Sequence, residues 1–159
     1  MSPLLRLCTA TLLVGSVTAA DKVAVVVNAA LKPDIQARLD TYVADLQAEG
    51  YAVTVKAWDP KAADQNTPQE LKTWLKAQSG LHGAVFIGDL PLANVNSSTD
   101  TYQKNFVSDV YFMDLDTEWT YSADSGRFVQ PVVNDLEIWV SRIKAGNMPS
   151  FTGLTQADL

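Results

Sequence analysis

The feature that most constrains the fold is an uninterrupted apolar run at residues 23–27, with the sequence Val-Ala-Val-Val-Val. Its β-branched valines favour a strand. Apolar and polar residues do not alternate in it, which indicates a strand that is buried on both faces. Strands of this kind belong to parallel sheets that helices cover on both sides. The run therefore predicts an α/β fold.

Helical and strand patterns alternate after this run. A helix is predicted from Pro33 to a stop at Gly50, because Pro suits the first turn of a helix and Gly suits its end. A second helix begins at Thr67, where Thr67 and Glu70 have the spacing of a capping box. The predicted strands are residues 23–27, 51–58 and 83–87. This β-α-β-α-β order with short connections predicts an open, mainly parallel sheet with flanking helices.

The second half of the chain gives weaker patterns. Residues 92–106 are polar and predict a long loop, and residues 107–113 predict a strand or an extended edge segment. Residues 117–126 predict a polar hairpin or loop, and residues 136–143 predict a strong strand. Asn96 opens a glycosylation triplet, a short and common pattern.

The first twenty residues differ from the rest of the chain. Arg6 precedes a short apolar stretch, and small residues follow at Ala19 and Ala20, as in a secretory signal peptide. We therefore expect residues 1–20 to be a signal peptide, residues 21–159 to be one α/β domain, and the protein to be secreted or periplasmic. The alternative is an N-terminal segment of a cytosolic protein. The single cysteine, Cys8, would leave with the signal peptide, so no disulfide or thiolate is expected in the mature chain.

Composition and charge exclude some classes of partner. Apolar residues make up 47% of the chain and charged residues 19%, which is typical of a globular domain. The formal net charge is −6. Nucleic acids and anionic membranes attract basic surfaces, so neither is an expected partner.

Three short patterns in the second half resemble a known family. They are Ile87-Gly88-Asp89 at the end of a strand, Ser108-Asp109 before an aromatic pair, and residues 137–143, which begin at Glu137 and end with Arg142 and Ile143. The order of these patterns and the residues in them resemble the first half of the catalytic domain of gingipain-like cysteine peptidases. That family has a caspase-like fold, so the resemblance implies a flavodoxin- or caspase-like sheet, here an incomplete one.

The resemblance also implies what this chain lacks. In that family these segments form the non-catalytic front half, and the catalytic His and Cys lie further along the chain. We therefore assign no catalytic residue and expect the polypeptide to be inactive alone as a peptidase. Its expected partner is the missing C-terminal half of the catalytic domain or a protein ligand. His82 precedes a strand, so we interpret it as a turn residue between helix and strand.

An acidic segment suggests a different chemistry. Its candidate metal ligands are Asp114, Asp116, Glu118 and Asp124. Ca²⁺ needs several oxygen ligands around one point, and closely spaced acids on a loop can supply them. The alternative is a solvated hairpin whose acids cap turns. No cofactor is required on this sequence, and no phosphate-binding glycine loop is present. A stand-alone secreted binding module, Ca²⁺-dependent, is thus the second functional hypothesis.

Two further acids lie beside predicted strand ends. Asp89 and Asp109 either line a cleft at the carboxyl edge of the sheet or cap turns through backbone N–H groups. Arg142 is predicted to pair with one of them across the sheet edge.

Overall fold

The computed structural model describes residues 20–96, 105–131 and 135–144. The predicted signal peptide, apart from Ala20, lies outside these residues, and so does the glycosylation triplet beyond Asn96. The described strands are β1 (Lys22–Asn28), β2 (Ala52–Trp58), β3 (Leu81–Ile87), β4 (Asn94–Asn96), β5 (Asn105–Val107), β6 (Thr120–Ser122), β7 (Arg127–Val129) and β8 (Trp139–Ile143). The described helices are α1 (Lys32–Ala48), α2 (Pro68–Lys76) and α3 (Val110–Met113).

Four strands form the main sheet, in the order β2-β1-β3-β8. All three pairings are parallel, and Val25 lies between Val55 and Val85 in register. This confirms the predicted open α/β fold. The order corresponds to the first four strands of the flavodoxin-like arrangement, in which ligands bind at the carboxyl ends of the strands.

The helices cover the two faces of the main sheet. Alternate residues of β1 point to opposite faces, as they must in a strand. One face packs on α1 through the buried residues Val23, Val25, Val27, Val85, Ile35, Leu39 and Leu46. The other face packs on α2 and α3 through the buried residues Ala24, Val26, Ala84, Phe86, Leu71, Leu75 and Phe112. Burial of each large side chain stabilises the fold by about 1.5–3 kcal/mol, which is why the apolar run of β1 lies at the centre.

The start of α2 matches its sequence pattern. Glu70 N donates to Thr67 Oγ1 at 3.3 Å, and Thr67 N donates to Glu70 Oε2 at 2.7 Å. The capping box predicted from these two residues is therefore confirmed. Helix α1 has Pro33 in its first turn, and Gly50 follows it with a φ of 97°.

A second, smaller sheet follows the main one. Its order is β5-β4-β7-β6, and β6 and β7 form an antiparallel hairpin. Of the hairpin or loop predicted at residues 117–126, the structure has the hairpin, although its second strand begins at Arg127. The prediction of one long loop at residues 92–106 is wrong, because β4 and part of β5 lie within it. These strands have three residues each, too few to give a clear alternation of apolar and polar residues.

The prediction of a strand or an extended edge segment at residues 107–113 is also wrong for most of that segment. Strand β5 ends at Val107, and the single-turn helix α3 follows. Tyr111 and Phe112 are consecutive, and both are buried in the same core cluster. In a strand they would point to opposite faces of the sheet. The helical turn lets both rings reach the core.

Two further expectations need smaller corrections. The strand predicted at residues 136–143 begins at Trp139, because residues 137 and 138 instead donate backbone hydrogen bonds to Met113 O. His82 lies inside β3, exposed, and not in the preceding turn. Residue Gly83, next to it, lies so close to the Trp139 ring that an added Cβ would be 2.0 Å from the ring.

Candidate functional site

The carboxyl end of the main sheet carries the first group of polar side chains. Asn28 ends β1 and donates from Nδ2 to Asp89 O at 2.6 Å. Lys144 follows β8, and its Nζ lies 2.6 Å from Asp89 Oδ1. The Asp89 side chain is 67% exposed, and an exposed pair of this kind contributes only about 0–1 kcal/mol. These contacts hold the strand ends together but leave a solvated surface.

Arg142 makes the most connected polar interaction in this region. Its Nη2 lies 2.7 Å from Asp109 Oδ1, and its Nε donates to both carboxylate oxygens at 3.1 and 3.2 Å. The same guanidinium donates to Leu90 O and Pro91 O at 3.4 and 3.2 Å. Its carbon also lies 5.0 Å from the centroid of the Phe86 ring.

The Arg142–Asp109 pair confirms one of the two pairings expected from the sequence. Asp89 pairs with Lys144 instead. The turn-capping interpretation of Asp109 is not what the structure has, because Asp109 makes no side-chain cap bond to α3. Arg142 therefore links the end of β8, the segment after β3 and the start of α3.

A cluster of carboxylates lies at the other end of α3. Asp114, Asp116 and Glu137 each place a carboxylate oxygen within 4.8 Å of the others. Two of the four residues predicted as metal ligands are thus brought together, and Glu137 joins them. Glu118 and Asp124 are not part of this group. The sequence carries no local signal for Glu137, which arrives because residues 137 and 138 bond to Met113 O.

The three carboxylates of this acidic cluster have different surroundings. Asp114 is fully buried, and it accepts hydrogen bonds from Thr117 N and Trp119 Nε1, both at 3.0 Å. Glu137 is exposed and accepts a hydrogen bond from Leu115 N. Each carboxylate oxygen has two lone pairs, so these bonds leave acceptor capacity for a cation. Ca²⁺ takes six to eight oxygens, so the backbone and water would have to supply the others.

A cavity of about 240 Å³ lies between α2 and the segment that carries Trp119. Its lining residues are Gln69, Lys72, Thr73, Lys76, Tyr111, Thr117, Glu118 and Trp119. Lys72 is only 6% exposed, and its Nζ has no hydrogen-bonding partner among the described residues. That nitrogen lies 4.6 Å from the centroid of the Tyr111 ring and 5.6 Å from that of Trp119.

Burial shifts the pKa of two groups that line this cavity, Lys72 and Tyr111. Desolvation lowers the pKa of Lys72, and the nearby carboxylate of Asp114 opposes that change. Desolvation raises the pKa of Tyr111 to about 12, so its hydroxyl stays protonated. Sequence analysis missed Lys72, since a lysine next to Leu71 on an amphipathic helix is normally solvated.

A larger cavity of about 430 Å³ lies between α2 and the end of β2 with the segment that follows it. Trp58 and Trp74 line it, and their ring centroids lie 6.3 Å apart in a T-shaped arrangement. Trp58 Nε1 donates to Gln65 O at 2.7 Å, which ties the segment after β2 to the core. The ring contact and this bond make the wall of the cavity part of the core packing.

The described residues contain no cysteine–histidine pair. They include no cysteine, and their one histidine, His82, lies at the amino end of β3. The polar groups around Asp89 lie at the opposite end of the same strand. A cysteine–histidine mechanism thus has no counterpart in the part of the chain that the structure describes.

Comparisons with known proteins add no identity. A scan against protein-family models, a search of curated proteins and a search of solved structures each found no match to this chain. Among the described helices, none is both long and apolar enough to cross a membrane.

Proposed function

We propose that this protein is the non-catalytic front part of a secreted, caspase-like peptidase domain of the gingipain type. In this proposal it supplies a rigid parallel sheet, to which the strands that carry the catalytic groups add along β8. The observation that carries the proposal is the unpaired edge of β8. This strand pairs with β3 on one side and with no described strand on the other.

The side chains of β8 support this role. Trp139, Val140 and Arg142 are half-buried, and Ile143 is 48% exposed, so its apolar surface is only partly covered. Natural edge strands usually carry lysine, proline or a bulge that prevents further pairing. Strand β8 contains no lysine or proline, and its pairing with β3 has no bulge. Such an edge favours the addition of another strand.

The polar links at the carboxyl end of the sheet support the same proposal. Arg142 holds the residues after β3 and the start of α3 through Asp109, Leu90 O and Pro91 O. Loops at this end of an open α/β sheet are where ligands bind. A front half that fixes these loops would orient the active site while it contributes no nucleophile.

The test begins with the coding DNA after the codon for Leu159. The proposal expects an open frame that encodes one strand ending in His-Gly and another ending in Cys. Residues 21–159 alone should then hydrolyse no peptide in a mixed peptide library, and co-expression with the downstream segment should produce thiol-dependent hydrolysis. A stop codon at that point, together with a monomer that unfolds in one cooperative transition, would overturn the proposal.

The acidic cluster favours a second candidate function, a Ca²⁺-stabilised binding module. Here Asp114, Asp116 and Glu137 supply ligands to one ion. Titration calorimetry of the mature protein with CaCl₂ should show heat, and the melting temperature should rise with Ca²⁺ concentration. Asp116→Asn should remove both effects. Asp124→Asn, a matched change outside the cluster, should leave them intact, and equal effects of the two variants would contradict the three-residue site.

A further inference from the structure

The most unusual side chain of the described structure is Lys72. It lies on α2, and its neighbours on the helix surface, Thr73 and Lys76, are both exposed to solvent. Long lysine side chains normally extend toward water at such positions. The Lys72 side chain instead ends in the interior, with its Nζ over the rings of both Tyr111 and Trp119, which contact each other edge to face.

The Lys72 amine has hydrogen-bond donors that no described residue satisfies. A lysine ammonium offers three donors, and Nζ of Lys72 uses none of them in a hydrogen bond to a described residue. The two aromatic faces offset part of the cost of burying a cation. They cannot accept its three N–H bonds as oxygens would, so the group remains partly unsatisfied.

Lys72 lines the cavity, and its Nζ is itself covered from water in the structure. Lys72, Tyr111 and Trp119 are buried and form its inner part, whereas Thr73, Lys76 and Glu118 are exposed and form its rim. At about 240 Å³ it has room for a molecule of several heavy atoms. Thr117, half-buried, adds a hydroxyl to the lining. The cavity thus combines a desolvated amine, aromatic walls and polar groups nearer the mouth.

We propose that Lys72 is a reactive amine that condenses with small aldehydes or ketones bound in this cavity. The neutral nitrogen attacks the carbonyl carbon, and a carbinolamine forms. Loss of the former carbonyl oxygen as water then leaves a C=N bond to Nζ. Both hydrogens of that water come from the amine, so no oxidant or reductant is needed. Lysines that are desolvated in this way are the ones that form Schiff bases in proteins.

The charges around Lys72 are compatible with a neutral amine. Burial is the main influence and lowers the pKa of Lys72, and Lys76 on the next turn acts in the same direction. The carboxylates of Asp114, Glu137 and Asp116 act in the opposite direction. The net direction is downward, so more of the amine is neutral at neutral pH than for an exposed lysine.

The test uses the intact mature protein and the matched lysine Lys76, which is exposed on the same helix. The protein is treated at neutral pH with propionaldehyde and cyanoborohydride, which reduces any imine to a stable alkylamine. Chymotrypsin cleaves after Trp74 and Leu75, so it separates the two lysines for mass spectrometry. We expect Lys72 to be alkylated severalfold faster than Lys76, because burial favours the neutral amine that attacks the carbonyl and because the cavity holds the aldehyde beside it.

Three outcomes decide the proposal. Labelling of Lys72 should saturate with aldehyde concentration, as binding in a cavity requires, whereas labelling of Lys76 should rise linearly. In denaturant the two lysines should react at the same rate. Labelling of Lys72 no faster than that of Lys76 in the folded protein would overturn the proposal, and so would a selectivity that survives unfolding. Lys72→Arg should remove the fast site without removing the slow one.

Discussion

The main sheet and the small sheet differ in how their structure is encoded. Strand β1 has five consecutive buried residues, and β2 and β3 have seven residues each. Strands β4 to β7 have three residues each, and Phe106, Val107 and Tyr121 in them are about half exposed. The main sheet is thus stabilised by its own apolar surface, and the small sheet depends on contacts with the main core. The acidic cluster lies beside this less regular region, where binding groups are more often found.

The largest effect is expected from the core of the main sheet. Phe86 is fully buried and packs edge-to-face on Phe112, with ring centroids 5.2 Å apart. Phe86→Ala should lower the free energy of unfolding by about 3–5 kcal/mol, through lost burial and the cavity left behind. Chemical denaturation measures this. Phe106→Ala in the small sheet is the control and should change it by less than about 0.5 kcal/mol; equal losses would break the comparison.

The link between the two regions should have the next largest effect. Arg142 extends from the main sheet to Asp109, which lies between β5 and α3. Arg142→Met should cost about 2–3 kcal/mol, because a half-buried carboxylate loses its charged partner. Hydrogen exchange should rise mainly in β5 and α3, which would show that the link couples the regions. Lys144→Met, which breaks the exposed pair with Asp89, should lower the free energy of unfolding by about 0–1 kcal/mol. Equal losses in Lys144→Met and Arg142→Met would contradict the larger role of Arg142.

A substitution at Gly83 tests how tightly the edge strand β8 packs against β3. An added Cβ at Gly83 would lie 2.0 Å from the Trp139 ring, so the ring must move. Gly83→Ala should therefore destabilise the protein by about 1–3 kcal/mol, and the near-ultraviolet circular dichroism of the tryptophans should change. Gly80→Ala, where nothing lies within 4 Å of the added Cβ, separates crowding from backbone strain. An unchanged spectrum in Gly83→Ala would contradict the close packing of β8.

The smallest expected effect is a pH dependence at the start of α2. Hydrogen bonds from the Thr67 side chain, and then from its backbone N–H, lower the pKa of Glu70 below its usual 4.5. A carboxyl group whose pKa is lower in the folded state stabilises the fold fully at pH values above its pKa in the unfolded state. This stabilisation is lost as the pH falls through its pKa in the folded state. In Thr67→Ala the melting temperature should therefore fall less steeply as the pH decreases below 4.5. An identical acid profile for wild type and variant would contradict this assignment.

Much of the main sheet could be predicted from local patterns. The apolar run at residues 23–27 predicted a central buried strand, and β1 is that strand. Thr67 and Glu70 predicted a capping box, and their hydrogen bonds are present. These features depend on neighbours along the chain or on uniform burial, which a sequence displays directly. The resemblance to gingipain-like peptidases stays a prediction.

The candidate sites were decided by the tertiary structure. Glu137 meets Asp114 and Asp116 only because its backbone bonds to Met113 O, which lies 24 residues earlier in the sequence. Segment 110–113 becomes helical because two adjacent aromatic rings enter one core. Lys72 is buried because Tyr111 and Trp119 arrive from a distant segment and close over it. Local spacing cannot encode such meetings, since they depend on which surfaces remain to be covered once the main sheet has formed.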